Sequence, residues 1–423
     1  MAGIAKQMYR VCRYLPGNSG AAYRNRHGTT CQQLGTTRHL SGLHQSTLEE
    51  RGVLIDGTQL VLHNESRYLC RCSECFGATS NQPLHTDDYS DVKITEVKEV
   101  QDHFVSLLWD DGHTGIIPRS DRGAYGNGYK PTPSSKFYDL SLRKNSVQTF
   151  WESPTGEVTK RFQYEDVISS CEKTKEFLAH FMEYGLAFLS NTPHQPDDLL
   201  QILKDLKVTP YWDNMFGVLS KVSFQNDPTN QAFNNQRLAA HTDMPYYTQT
   251  PSVYFFHCVA NELEGGESFW SDTFSSVQHI RETDPDMFEL LTSVQIPFRQ
   301  YPKEWHMAGS YPTVELMGDD IYRVRDCCFV IDTFKFIQDY SPDIRARWWQ
   351  AYRYLRQLME NPARSVQVKL EGGDLVVIDN WRVQHGRNAF SVSKDDQGGR
   401  RAMEVSYIEW SHVQNRLLKM ELD

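Results

Sequence analysis

His241-Thr242-Asp243 sets an imidazole and a carboxylate two residues apart, and on a β-strand positions i and i+2 project from one face. Joined by one more imidazole, they form the donor set that grips iron(II) on one side. The other coordination positions stay open to a chelating co-substrate and to oxygen. His385 is the distant partner, in Asp379-Asn380-Trp381-Arg382-Val383-Gln384-His385-Gly386-Arg387. There an apolar strand and a tight turn lead to an imidazole beside Gly386, which lets backbone or ligand approach closely. A second His-x-Asp, His85-Thr86-Asp87, follows Pro83 in an acidic polar stretch with no strand after it, and reads as a surface loop.

Beyond His385, alternation puts Arg401, Met403, Val405 and Tyr407 on one strand face. A guanidinium directed inward among apolar neighbours needs a carboxylate, which it holds bidentately. 2-Oxoglutarate chelates iron with one end and offers that carboxylate with the other. Arg401 is therefore the predicted clamp, with Arg400 and Arg387 as the alternatives.

These groups need rigid elements to position them. Pro251 to Cys258, after His241, has the pattern of a buried strand and leads to a Gly265-Gly266 turn; Leu375 to Ile378 and Ala402 to Tyr407 are further apolar strands. Helical periods run from Glu165 to Gly185, Asp197 to Leu206, Asp284 to Leu291 and Ile344 to Met359. Strands in the core with helices outside predict a mainly β fold, a double-sheet jelly roll with added helices. Short strands at Val53 to Ile55, Leu60 to Leu62, Val92 to Val97 and Phe104 to Trp109 predict a small β-rich amino-terminal domain. The expected organisation is a presequence over 1–48, that small domain over 49–120, a linker over 121–160 and the jelly roll over 161–423.

The chain has 423 residues, is 39% hydrophobic and carries a net charge of −10. No run of about 18 apolar residues occurs, so no transmembrane helix is expected. Residues 1–48 carry Lys6, Arg10, Arg13, Arg24, Arg26 and Arg38 with no acid before Glu49, the pattern of a mitochondrial presequence. The remainder has a formal charge of −16, which disfavours nucleic acid as a partner because phosphate contact needs clustered Lys and Arg. The nine cysteines are odd in number and show no disulfide framework, in keeping with a reducing compartment such as the mitochondrial matrix or cytoplasm.

Taken together, His241-Thr242-Asp243, Phe256-His257-Cys258, Gly265-Gly266 through Asp272, and Asp379-Asn380-Trp381-Arg382 with His385-Gly386-Arg387 resemble one known family. It is the gamma-butyrobetaine dioxygenase and trimethyllysine dioxygenase family of Fe(II)- and 2-oxoglutarate-dependent oxygenases. The resemblance runs from about Val53 to the last residues. It implies a double-stranded β-helix core, a C–H hydroxylation that consumes O2 and yields succinate, ascorbate as reductant, and a homodimer. It also implies that Cys70, Cys72 and Cys75 hold a structural zinc. Spacing alone leaves His85, His103 or His113 as the fourth ligand, and the resemblance selects His113. The middle thiol Cys72 and the ending Tyr407-Ile408-Glu409-Trp410 look more like the butyrobetaine branch, which makes carnitine.

A trimethylammonium group cannot hydrogen-bond, so its recognition needs aromatic faces within about 6 Å of the charge. The resemblance assigns such a pocket to Phe216, Asn230, Phe233 and Tyr407. It departs from the family pattern at Ser220, where an aromatic residue is expected, and at Cys327, where an Asn is expected. Tyr211, Trp212, Tyr246 and Tyr247 are aromatic residues nearby. The alternative readings are trimethyllysine hydroxylation, oxidation of a different amine or acid, and a non-enzymatic zinc-binding protein with an inert jelly roll.

Overall fold

The computed structural model describes residues 46–57, 59–77, 82–84, 89–119, 148–209, 213–225, 230–300, 306–392 and 400–422. The expected presequence up to 45, most of the linker (120–147), His85, Tyr211 and Trp212 lie outside the described residues.

The amino-terminal part contains two three-stranded antiparallel sheets, Thr47–Glu49, Gly52–Ile55 and Gln59–Leu62, then Ile94–Val100, Phe104–Trp109 and Thr114–Pro118. Phe104–Trp109 shows why it is a strand. Its residues alternate between half-buried and buried, and Val105, Leu107 and Trp109 join Val53, Ile55 and Ile117 in a core of their own. The short helix His63–Tyr68 carries no apolar stripe and was invisible to periodicity.

The larger part is built on two facing sheets. One is six-stranded, in the order Ser220–Ser223, Arg401–Ile408, Val253–Asn261, Leu375–Asp379, Leu186–Ser190 and Arg161–Gln163. The other is four-stranded, in the order Leu238–His241, Val383–Arg387, Ser268–Asp272 and Ser365–Val368. Phe188 of the first sheet meets Trp270 of the second edge-on with ring centroids 5.4 Å apart, inside one buried cluster that also holds Val366, Val376, Val383 and Met403. This is the jelly roll. The outer face of the six-stranded sheet is covered by helices Cys171–Tyr184 and Trp410–Leu422, where Phe181 packs on Trp410. Strand Leu186–Ser190 is therefore buried on both faces, Leu186 and Phe188 toward the other sheet, Ala187 and Leu189 toward the helices, which is why it reads as an uninterrupted apolar run.

Three features differ from the sequence reading. The helical period from Glu165 is broken at Ser170, whose extended backbone ends Tyr164–Ser169 and whose side chain caps Cys171–Tyr184 by accepting the Lys173 N–H. The helix Thr273–Thr283 was not foreseen, because its polar start, Thr273-Phe274-Ser275-Ser276, masks the period; Asp272 caps it through the N–H groups of Phe274 and Ser275. Within the stretch 148–160, assigned to the linker, Trp151 and Val158 are buried in the jelly-roll core, and the Trp151 N–H donates to Asp272 Oδ2 at 3.0 Å. Isolated apolar residues in a polar stretch leave no periodic signal. Among the described residues no helix is long and apolar enough to cross a membrane.

Candidate active site

Strand Leu238–His241 pairs with Val383–Arg387 so that His241 lies opposite His385. Gly386 makes this pairing possible: a Cβ there would stand 2.7 Å from the Leu238 carbonyl oxygen and 2.2 Å from the Phe269 ring. The strand ends at His241, so Asp243 reaches the same place from a turn rather than from the strand face; Met244 takes a left-handed φ of 53° there. Asn380 fixes that turn. Its Oδ1 accepts the Asp243 N–H at 2.9 Å, and its Nδ2 donates to the carbonyls of Asp243 at 3.2 Å and Pro251 at 2.9 Å.

The ligand atoms of His241, Asp243 and His385 converge within 4.8 Å of one another. His241 Nε2 is 3.3 Å from Asp243 Oδ1, and His385 Nε2 is 3.6 Å from Oδ2. Adjacent ligands of a small octahedral cation with bonds of about 2.1 Å stand roughly 3 Å apart, so the cluster is close to the size a single ion requires. His241 Nδ1 lies 2.9 Å from the Ala239 carbonyl and donates to it, which turns the Nε2 lone pair toward Asp243. Burial, reinforced by the neighbouring His241, pushes the His385 imidazole down to about 3. Burial alone would raise the Asp243 carboxyl, but His385, His241 and the Tyr407 hydroxyl hold it well below the usual range. A neutral His385 imidazole and an ionised Asp243 carboxylate are the protonation states in which these two groups bind a metal.

Arg401 is 5% exposed, lies with its guanidinium 5.3 Å from the Phe390 ring, and has no ion pair among the described residues. Its Nε is buried without a hydrogen-bond partner, and burial pushes its pKa down to about 10. A buried guanidinium in this condition has room for an anionic ligand. The two alternatives differ: Arg387, whose Nε is also buried without a partner, directs both terminal nitrogens to the carbonyls of Ala232, Asn234 and Gln236, and Arg400 is exposed.

Phe216, Asn230, Phe233 and Tyr407 line the same pocket as His241, Asp243, His385 and Arg401, and so do Ser220 and Cys327. Tyr246 also lines it, whereas Tyr247 packs against the adjoining core. Sequence reading missed Tyr254, which stacks between His385 and Tyr407 with centroids 4.8 and 5.3 Å away, and Phe329, whose ring meets His241 edge-on at 5.2 Å. Tyr254 sits in the strand pattern after His241 and was legible as core. Phe329 carries no local signal.

In the amino-terminal part, Cys70, Cys72, Cys75 and His113 form a second cluster, with each Sγ 3.4 to 3.5 Å from His113 Nε2. Sulfur and nitrogen on a tetrahedral zinc, with bonds of about 2.3 and 2.0 Å, stand roughly 3.5 Å apart. Gly115 leaves the space: a Cβ there would be 2.4 Å from Cys70 Sγ and 2.8 Å from His113 Nε2. Arg67 Nη1 donates to Cys75 Sγ at 3.2 Å while its Nε pairs with Asp111 at 2.8 Å. His103 is exposed and outside this cluster.

With this geometry in hand, comparison with known proteins defines the class. Residues 151–407 match the Taurine catabolism dioxygenase TauD, TfdA family, and residues 55–117 match the family described as Gamma-butyrobetaine hydroxylase-like, N-terminal. The chain belongs to the TauD, TfdA family and is an Fe(II)- and 2-oxoglutarate-dependent dioxygenase acting with O2 on a small molecule. Mitochondrial trimethyllysine dioxygenase of Gallus gallus is 26% identical over 76% of this chain and 76% of its own length. Gamma-butyrobetaine dioxygenase of Pseudomonas sp. (strain AK-1) is 25% identical over 86% of this chain and 92% of its own. A taurine dioxygenase structure from Burkholderia xenovorans aligns with a TM-score of 0.42 at 13% identity, over 56% of this chain and 81% of that one. Membership of the family sets aside the reading of an inert jelly roll that only binds zinc.

Proposed function

We propose that His241, Asp243 and His385 hold the iron(II), that Arg401 grips the far carboxylate of 2-oxoglutarate, and that the enzyme hydroxylates gamma-butyrobetaine, or a closely similar trimethylammonium acid, to form carnitine or its analogue. The observation that carries this reading is the pocket beside the triad, walled by the aromatic side chains of Phe216, Phe233, Tyr246, Tyr254 and Tyr407, with Asp243 as its one carboxylate among the described residues. Aromatic faces and a nearby negative charge stabilise a cation that offers no hydrogen-bond donor.

When bound, iron(II) and 2-oxoglutarate supply oxidative decarboxylation to succinate coupled to oxygen insertion into a C–H bond. The chain's own residues orient the reactants and exclude water. Arg401 would fix the far carboxylate of the co-substrate. The aromatic walls seat the cation, and Asn230, whose Oδ1 accepts the Ala232 N–H, keeps its amide N–H groups to donate to a substrate carboxylate. Ascorbate as reductant, association as a homodimer and a matrix location accompany the reading from the family likeness and the acid-free amino-terminal segment.

Cys70, Cys72, Cys75 and His113 hold a structural zinc in this reading. Four protein ligands close the site to water, and Arg67 offsets the surplus negative charge of three thiolates. The small domain over 49–120 then serves as a zinc-stapled unit beside the oxygenase domain. The second reading, trimethyllysine hydroxylation, is favoured by the basic, acid-free start of the chain and by the relative from Gallus gallus. Succinate formation across a panel of trimethylated amines decides between them. Stimulation by gamma-butyrobetaine above the uncoupled rate supports the first reading, stimulation by trimethyllysine alone transfers the assignment, and stimulation by neither removes both.

A further inference from the structure

Among the described residues, the strand carrying His241 lies at the edge of the four-stranded sheet, with a neighbour on one side only. An edge strand exposes a row of unpaired N–H and C=O groups, and a buried unpaired amide or carbonyl costs free energy. Ala240 is fully buried at this edge. Its N–H donates to Glu360 Oε1 at 3.2 Å, and its carbonyl accepts from Arg356 Nη1 at 3.2 Å. Both side chains come from the end of the helix Pro342–Met359, Glu360 being its C-cap, and they pair with each other.

The same Arg356 Nη1 donates to Asp326 Oδ2 at 2.8 Å, and Tyr352 of that helix donates its hydroxyl to Asp326 Oδ1. Asp326 in turn takes the Thr242 N–H on its carbonyl and gives its own N–H to Thr242 Oγ1 at 3.3 Å. Both neighbours of His241 in the chain are thus tied to one helix. The ladder to Val383–Arg387 does not do this work alone, since its register slips between Leu238 and His241. Asp326 also leads directly into Cys327 and Phe329 of the pocket wall.

We propose that Arg356, with Glu360 and Asp326, is a positioning unit that stands in for the missing neighbour strand and sets the His241 imidazole and the Cys327–Phe329 wall in register. The proposal rests on the reading of His241, Asp243 and His385 as the metal triad. Arginine is required because its planar fork addresses Asp326, Glu360 and the Ala240 carbonyl together, whereas a lysine ammonium is a single point donor.

Manganese(II) binding to the zinc-replete full chain, followed by the electron paramagnetic resonance of free Mn(II), tests this apart from turnover. Wild type binds a Mn(II) that Asp243→Ala loses; if Asp243→Ala retains it, the triad reading fails and the proposal falls with it. Arg356→Lys and Arg356→Met weaken that binding by roughly tenfold or more, the worth of a charge-assisted hydrogen bond. Leu355→Ala, which removes a side chain from the buried cluster that also holds Phe274 and Ile280 and makes no hydrogen bond to the Ala240–Thr242 segment, lowers the thermal midpoint and leaves Mn(II) affinity intact. Where Arg356→Met fails to fold, Arg356→Lys decides. Wild-type Mn(II) affinity in a folded Arg356→Lys, or an equal loss in Leu355→Ala, overturns the positioning role.

Discussion

The Tyr407 hydroxyl donates to Asp243 Oδ2 at 2.7 Å. A residue assigned by resemblance to the substrate pocket therefore also holds the carboxylate of the proposed metal triad, leaving Oδ1 as the oxygen nearer His241. One side chain serves both halves of the site, its ring toward the pocket and its hydroxyl toward the acid.

Tyr407→Phe separates these roles. A hydrogen bond to a charged group contributes about 1.5 to 3 kcal/mol, so iron(II) affinity is expected to fall roughly tenfold or more while the retained ring keeps the substrate KM within a few-fold. Anaerobic iron titration beside steady-state kinetics measures both. A raised substrate KM with unchanged iron affinity would assign the tyrosine to the substrate alone.

Arg401→Met should raise the 2-oxoglutarate concentration needed for half-maximal rate by about a hundredfold, with a lesser effect on the substrate requirement, since a buried bidentate carboxylate pair is lost. Arg387→Met should show the opposite split. Its guanidinium holds the carbonyls of Ala232, Asn234 and Gln236, so its loss loosens the segment bearing Phe233. Kinetics varying each reactant in turn distinguish the two, and equal splits would refute the division of labour.

Metal analysis of the purified chain should find one tightly held zinc in addition to iron, and Cys72→Ser should lose it. Because a structural zinc contributes folding free energy, that variant should unfold at a markedly lower temperature and become sensitive to protease in the first 120 residues. Zinc retention in Cys72→Ser would show that the cluster is not a closed four-ligand site.

Glu404 supplies a pH test. Burial alone would raise its carboxyl, but His257 and the N–H groups of Asp197 and Leu199 hold it below its ordinary value. A depressed carboxyl contributes stability that is present above the unfolded pKa of about 4.5 and is lost as pH falls through the folded value. Thermal midpoints of wild type and Glu404→Gln, measured from pH 7 downward, should therefore converge below about pH 4.5. A constant difference across that range would mean that the charge of Glu404 plays no part.

Much of the site was legible because its chemistry is written in residue type and short spacing. His241-Thr242-Asp243, the three close thiols, His385 beside Gly386 and the alternation through Arg401 to Tyr407 are local patterns, and each lies where the fold gathers it. The buried strands were legible for the same reason, since an apolar run bounded by turns has one economical resting place, between two layers.

What only the tertiary structure decided are relations between groups far apart in the chain. Arg401 and Arg387 are alike in sequence, and only the carbonyls that the terminal nitrogens of Arg387 address set the two apart. Glu360 reaches Ala240 across 120 positions, and Arg382 pairs with Asp272 across 110, with no trace in any periodicity. Sequence patterns record which face an element buries, because burial repeats with the period of the backbone. A single hydrogen bond between two distant segments repeats with nothing, so its partner becomes visible only once the chain has closed on itself.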